Sequence, residues 1–462
     1  RLSRGLPHDP TAWLPWVAAA VVLGGAALSA FLHPAVGPLV ILGLIAAPLL
    51  LRDQDLALGA LAAVLLLLPF AALPLNIGFN PTLLDLCLGA LYLILTLRLV
   101  LRQQRLRWPP LGLGLVVFLG LLTAALLAGM AGGRPTNNQL RAFAELLLGG
   151  GLYLLLFNLL DEPARLGRHL RLVLGLAAAA AALGLGLYLL PDAWQMRLLS
   201  SLSVLGYPSG GGVLRFLNDD PSRLQRATGT AIDPNSFGGM LAVMAALCLP
   251  QLSTPRPLLG PRAARLVLGL TVLALLATVS RGSLLGLLAG LGLIGLFRDR
   301  RALGLAILAG LAFLALAQAL PWTAAYLEHF LAGLRNEDRA TQMRWGEYRD
   351  AWRLIGRYPW LGVGFGSPRD VDLYRGVSSL YLIIAESSGL LGLGAFLGLM
   401  GAIAARLTWA WRRLPEGGLR ALVLGCLAAQ TAALLSGIFD HYFFTYPHAF
   451  ALLWLVLGLG MI

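Results

Sequence analysis

Apolar runs of about 17 to 25 residues follow one another along nearly the whole chain, the length an α-helix needs to cross roughly 30 Å of hydrocarbon. Composition closes the alternative. With 58% hydrophobic residues and a mean hydropathy of +0.77 over 462 residues, the chain has too little polar surface to cover a soluble globule of that size. The fold class is all-α: a polytopic integral membrane protein of about 12 to 14 transmembrane helices, with two outer loops that contain short amphipathic helices. Spans read at about 13–31, 35–51, 56–73, 82–101, 110–130, 139–160, 166–190, 234–252, 263–279, 283–297, 302–320, 379–405, 419–439 and 447–462.

Short basic connections at 98–107, 161–171, 298–301 and 406–420 fall on alternate connections, so they share one side of the membrane. By the positive-inside rule they face the cytoplasm, together with both termini. The first apolar run, Trp13 to Leu32, is followed by further spans and lacks a cleavage-type ending, so it reads as an anchor rather than a leader. The chain then divides into an N-terminal bundle (1–190), a first outer loop (191–233), central helices (234–320), a large outer loop (321–378) and C-terminal helices (379–462).

The formal charge of +13 comes from arginine alone, since the sequence contains no lysine. These arginines are scattered among the spans and form no basic domain, which excludes a nucleic-acid binder. Cys87, Cys248 and Cys426 lie inside apolar runs without disulfide or metal spacing and read as packing residues, so neither metal nor cofactor is expected. PWLGVGFG at 359–366 is glycine-rich but lacks the flanking strand and helix of a nucleotide loop.

Three arginines stand at outer span boundaries: Arg226 in RATGTAIDPNSFGG, Arg281 in TVSRGS and Arg344 in TQMRWGEYRDAW. Arginine does not shed its proton, and its planar fork grips phosphate with two parallel bonds. Asp233 and Pro234 read as the cap and first residue of a helix whose amino end would suit an anion, with Thr228, Thr230 and Asn235 beside it. In the large loop, Trp345, Tyr348, Trp352 and Ile355 recur at spacings of three and four, which predicts a helix over about 340–357, lying flat at headgroup level, aromatic side down, or packing as a roof on the bundle. Arg281 also suits a plain snorkelling anchor.

Among acids within spans, Asp85 has capping-box spacing from Thr82, and Glu145 has Arg141 one turn away. Glu386 has no close basic neighbour in sequence and reads as a proton acceptor or sugar ligand. His441, in SGIFDHYFFTYPHAF, can serve as a base near neutrality or simply sit at the interface.

RATGTAIDPNSFGG, TVSRG, RWGEYRDAWRLIGRYPWLGVGFG and SSLYLIIAESSGLLGLGAF, in this order and at these intervals, resemble the O-antigen ligase and polymerase superfamily, from about Arg226 to Phe396. The resemblance implies a glycosyltransferase that moves glycan from an undecaprenyl-pyrophosphate carrier to a hydroxyl on another glycan, on the outer face of the bacterial inner membrane, without nucleotide or metal. It implies catalytic roles for Arg226 and Arg281, with Arg344 opening the loop helix; the residues themselves offer Glu386, His441 or Glu347, in that order, as base, and Thr228, Thr230, Asn235, Glu347, Tyr348, Arg353, Ser378 and Tyr381 as substrate contacts. Its implied partners are the lipid-linked donor, a glycan acceptor, membrane lipid, and a chain-length regulator or a flippase. Where the ligases carry His-Asn, this chain has Ser378 and Ser379, and serine does not replace imidazole as a base. That departure favours a polymerase over a ligase that hands glycan to lipid A-core. A transporter is the reading from another class, but the ionisable residues crowd the outer third and no internal repeat is evident.

Overall fold

The computed structural model describes residues 47–160, 162–298, 304, 327–328, 331–332, 335, 339–365 and 376–461. The spans expected at 13–31, 35–51 and 302–320 lie wholly or largely outside those residues. The described helices, in order, are α1 (Gln54–Leu67), α2 (Leu83–Val100), α3 (Gly112–Gly129), α4 (Asn137–Leu159), α5 (Pro163–Leu189), α6 (Asp192–Ser201), α7 (Pro234–Cys248), α8 (Pro261–Thr278), α9 (Arg281–Phe297), α10 (Arg339–Arg357), α11 (Leu380–Arg413), α12 (Gly418–Phe439), α13 (Tyr442–Thr445) and α14 (Pro447–Leu459). Two short strands, β1 (Arg215–Phe216) and β2 (Gln225–Arg226), pair antiparallel between α6 and α7. Among the described residues, eight helices are long and apolar enough to cross a membrane, and α1, α9 and α14 are shorter apolar helices.

Local chemistry sets where these helices begin. Thr82 and Asp85 form a reciprocal capping box on α2, Thr136 and Gln139 another on α4, and Asp233 caps α7 ahead of Pro234. Arg141 then bridges Asp85 at 3.0 Å and Glu145 at 2.8 Å, while the Thr82 hydroxyl donates to Glu145 at 2.8 Å. Both acids thus serve to hold α2 against α4.

α7 is apolar all round, and every residue from Phe237 to Cys248 is buried, which marks it as the central helix. It packs against α8, α9 and α12. Lipid gives no hydrophobic drive between helices, so close approach must supply the attraction. Small residues allow that approach. A Cβ on Gly286 would stand 2.5 Å from the Ala432 carbonyl oxygen, and one on Gly290 2.8 Å from that of Ala428, so α9 and α12 meet backbone to backbone.

α10 forms where periodicity predicts it, but its buried face differs from the expected aromatic stripe. Ala351, Leu354 and Ile355 are buried, whereas Trp345 and Trp352 are 56% and 62% exposed. Residues 347, 348, 351, 354 and 355 lie on one side of a helix, and small aliphatic groups fit its contact with α11 better than indoles do.

The span read as continuous over 379–405 is also interrupted. At Gly389 α11 turns through φ 70° and ψ −175°. The segment after α10 fills the break: Val363 N donates to Glu386 O at 2.8 Å, Gly364 N to Ser387 O at 3.0 Å, and Leu390 N to Pro359 O at 2.7 Å. Backbone groups freed at membrane depth must find protein partners, and this segment supplies them.

Candidate active site

One hairpin, the ends of α7, α9 and α12, and α10 converge on a cavity of about 230 Å³. β2 delivers Arg226. Its neighbour Ala227 donates from the backbone to Ala277 O at 2.8 Å, tying the hairpin to the end of α8. The Arg226 Nε donates to Thr278 O at 2.8 Å and a terminal nitrogen to Asn235 Oδ1 at 2.5 Å, so the guanidinium is fixed between the last turn of α8 and the first turn of α7.

The turn from α8 to α9 places the second arginine. Val279 adopts φ 52° and ψ 36°, a left-handed conformation unusual for a β-branched residue, and Ser280 then precedes Arg281 at the start of α9. Ser280, Arg281, Gly282 and Ser283 all line the cavity, and no side chain caps this helix start. Oriented amides and the helix dipole therefore face the same space as the arginines. Ser283 contacts the Ser280 hydroxyl at 2.9 Å and the Tyr442 hydroxyl at 3.3 Å. Gly238 permits this packing, since its Cβ would stand 2.9 Å from Thr278 Oγ1 and 3.0 Å from Ser283 Oγ.

α10 closes the cavity with Met343 and Arg344. Arg344 makes no hydrogen bond or ion pair to another described residue. The helix is clipped in place one turn further on. Glu347 accepts from Ser378 N at 2.9 Å, and the Tyr348 hydroxyl donates towards Ser378 O at 3.4 Å and Ile438 O at 3.5 Å. Phe439, Asp440 and Tyr442 form the wall beyond α12, and Phe216, Leu217, Asn218 and Asp219 the wall from the hairpin. Asn218 and Asp219 have φ 57°, so three cavity residues, with Val279, hold the left-handed backbone that often marks functional sites.

Charge is unevenly spread over this surface. Burial, then the Asp440 carboxylate, holds the Asp233 carboxyl above its ordinary value against the pull of Arg226 and Arg215. Burial likewise raises the Tyr348 phenol, with Arg344 lowering it and Glu347 and Asp440 raising it further. Asp440 is thus the carboxylate felt by both walls. It accepts its own neighbour's amide, His441 N, at 2.8 Å.

Of the residues singled out from sequence, Arg226, Arg281, Arg344 and Asn235 share the cavity, and Glu347, Tyr348 and Ser378 stand at its roof. The rest do not reach it. Thr228 and Thr230 are buried; the Thr230 hydroxyl donates to Leu67 O at 2.7 Å, and both line a separate void of about 10 Å³. Glu386 is 1% exposed beside the break in α11, where its backbone carbonyl accepts from Val363 N at 2.8 Å. The His441 ring meets Thr445 Oγ1 at 2.6 Å and the edge of Tyr446. Tyr381 donates to Leu434 O at 2.7 Å, and Arg353 lies by Asp350 on the outer face of α10. The anion-facing helix start also differs from expectation. Asp233 takes the Ser236 amide at 2.7 Å on α7, so the uncapped start belongs to α9 instead. Of the remaining lining residues, Asp440 ends a span beside His441 and Ser283 closes TVSRGS, yet the sequence gives neither a role, and Asp219 sits in no recognisable motif.

Residues 266–397 match the family model described as O-antigen ligase. Over this segment, which includes α9, α10 and the first half of α11, the chain is similar to that family. That similarity and the eight long apolar helices among the described residues support a multi-pass membrane protein of a glycan-ligating or glycan-polymerising kind. No curated protein matches the chain. The matched segment holds Arg281, Arg344, Glu347, Tyr348 and Ser378, whereas Arg226, Asn235 and Asp440 lie outside it and complete the cavity from either side.

Proposed function

We propose that the protein polymerises glycan repeat units carried on undecaprenyl pyrophosphate, at the outer face of the bacterial inner membrane. The observation that carries this reading is the shared cavity of Arg226, Arg281 and Arg344, closed by the uncapped start of α9. An acceptor hydroxyl oxygen attacks the anomeric carbon, the bond from that carbon to the diphosphate breaks, and the departing oxygen keeps the electron pair. Charge grows on the diphosphate as the bond lengthens, and guanidinium groups fixed in advance stabilise it without reorganising. Arg226, held by Thr278 and Asn235, and Arg281, at a helix start, suit that task. Arg344 enters from the roof and completes the cradle.

The acceptor proton needs a base, and Asp440 is the carboxylate best placed to take it. It lines the cavity with the arginines and its charge reaches both Asp233 and Tyr348, while Glu386 and His441 are not among the lining residues. Serine at 378 supports polymerisation over ligation, because the imidazole that the resembling ligases carry there is missing. Lipid-linked glycan donor, glycan acceptor and bilayer lipid are the partners this chemistry requires.

The test is transfer from a lipid-linked donor by purified full-length protein. Arg226→Ala, Arg281→Ala and Arg344→Ala each lower turnover by about 100-fold or more while the protein still inserts. Wild-type activity in any two of them ends the assignment. Asp440→Asn lowers turnover by about 100-fold or more, whereas Glu386→Gln and His441→Ala keep it; the reverse pattern moves the base elsewhere. In a deletion strain, single repeat units left on the carrier identify a polymerase, and full chains stranded there a ligase.

A further inference from the structure

The opposite end of α11 carries a second cationic cavity. Beyond the break, residues 390–413 run for about 36 Å, longer than the roughly 30 Å of hydrocarbon, so their last turns stand in the headgroup layer. Arg406 and Arg413 are two turns apart on one side of this helix, with Trp409 between them. Their guanidinium carbons lie 4.2 and 4.5 Å from the indole centroid, one on each flank. The two arginines border a cavity of about 290 Å³ whose other walls include Leu166 of α5, Leu422 and Val423 of α12, and Leu459 and Met461 at the end of α14.

Among the described residues, the lining contains two positive charges and no carboxylate. Glu416, the acid nearest in sequence, is occupied by Arg420 at 2.6 Å and Arg298 at 3.7 Å. Neither Arg406 nor Arg413 forms an ion pair with a described residue. Arg406 lies about 10 Å deeper along the helix than Arg413, at the boundary where headgroup gives way to acyl chain. A guanidinium at that depth is costly unless an anion meets it, and stacking on an indole does not neutralise it.

We propose that this cavity binds an anionic glycerophospholipid, its phosphate between Arg406 and Arg413 and its upper acyl chain along the leucine wall. A zwitterionic lipid offers the same phosphate but brings an ammonium group that the paired arginines repel. Charge complementarity therefore selects a headgroup such as phosphatidylglycerol over phosphatidylethanolamine.

Native mass spectrometry of the full chain, titrated with each of these two lipids in matched acyl form, tests the site independently of glycan transfer. Wild type retains phosphatidylglycerol over phosphatidylethanolamine. The R406Q/R413Q pair loses that preference and weakens phosphatidylglycerol binding on the order of fivefold for each arginine removed. The R406K/R413K pair keeps the charge and hence the preference, and serves as the reference should the glutamine pair fail to fold. Equal retention of the two lipids by wild type overturns the proposal and leaves only snorkelling arginines, as does undiminished phosphatidylglycerol binding by a folded glutamine pair.

Discussion

Gly389→Ala is the sharpest test of how the roof of the cavity is held. The residue sits at φ 70° and ψ −175°, a region essentially restricted to glycine, and forcing alanine into it costs on the order of 1–3 kcal/mol. The new methyl also lands on the Trp360 carbonyl, which is backbone and has no rotamer to escape into. The 359–364 segment must then retreat from the break, losing the bonds from Val363 N, Gly364 N and Leu390 N. At roughly 1 kcal/mol net each, these add about 3 kcal/mol, more if the freed groups stay at membrane depth. Local stability of the segment falls by about 4–6 kcal/mol, which amide exchange reads as a loss of protection of roughly 1000-fold or more. Because α10 leads directly into this segment, Arg344 loses its register and turnover falls as well. Gly398→Ala, on the same helix with open space around it, is the control and leaves both readouts unchanged. Unaltered protection of residues 359–364 in Gly389→Ala refutes the account of the break.

Gly239→Ala places a methyl on the buried Tyr442 ring and costs about 1–3 kcal/mol through overpacking, seen as a lower unfolding temperature; adding Tyr442→Leu recovers part of the loss, and no recovery means the clash is not the cause. Asp233→Asn keeps an equally good cap but removes a buried charge facing Asp440. Since the folded-state value of Asp233 is raised, its stabilising contribution is complete below about pH 4 and declines as pH rises through that raised value. The asparagine variant lacks this decline and melts higher than wild type at neutral pH; parallel melting curves for the two across the range count against it. Arg141→Met strands Asp85 and Glu145 between α2 and α4 and destabilises the protein by about 3–5 kcal/mol while leaving the arginine cavity intact, so that thermal stability falls with turnover per folded molecule preserved.

The spans were legible because bilayer thickness and capping chemistry both write themselves into sequence. Thr82 and Asp233 begin helices where their spacing says they should. The arginine trio was legible for a different reason, since charge at a span boundary stands out against apolar flanks. Side-chain direction within a tight turn was not. Thr228 and Thr230 neighbour Arg226 in sequence, yet Gly229 at φ 53° turns the backbone between them and sends the Thr230 hydroxyl to Leu67 rather than to the cavity. Nor does a glycine in an apolar run declare whether it thins a helix contact, as Gly290 does, or breaks the helix, as Gly389 does. That distinction depends on a segment some 30 residues away, and periodicity carries no such information.

The serine at 378 acquires a meaning from the same geometry. Its amide is taken by Glu347 and its carbonyl is approached by Tyr348, so the start of α11 serves as the catch that holds α10 over the cavity. The Tyr348 hydroxyl lies nearly equidistant from Ser378 O and Ile438 O, at 3.4 and 3.5 Å, which makes the start of α11 and the end of α12 neighbours across a single phenol. On the proposed reading, a base absent at one is supplied at the other without remodelling the arginines. Asp440, two residues past Ile438 and already in the cavity wall, occupies that place, and a carboxylate there is positioned by the same catch that positions Arg344. Loosening the catch with Glu347→Gln accordingly disturbs base and cradle together, lowering turnover more than the loss of one hydrogen bond to a neutral amide, about 1 kcal/mol, accounts for.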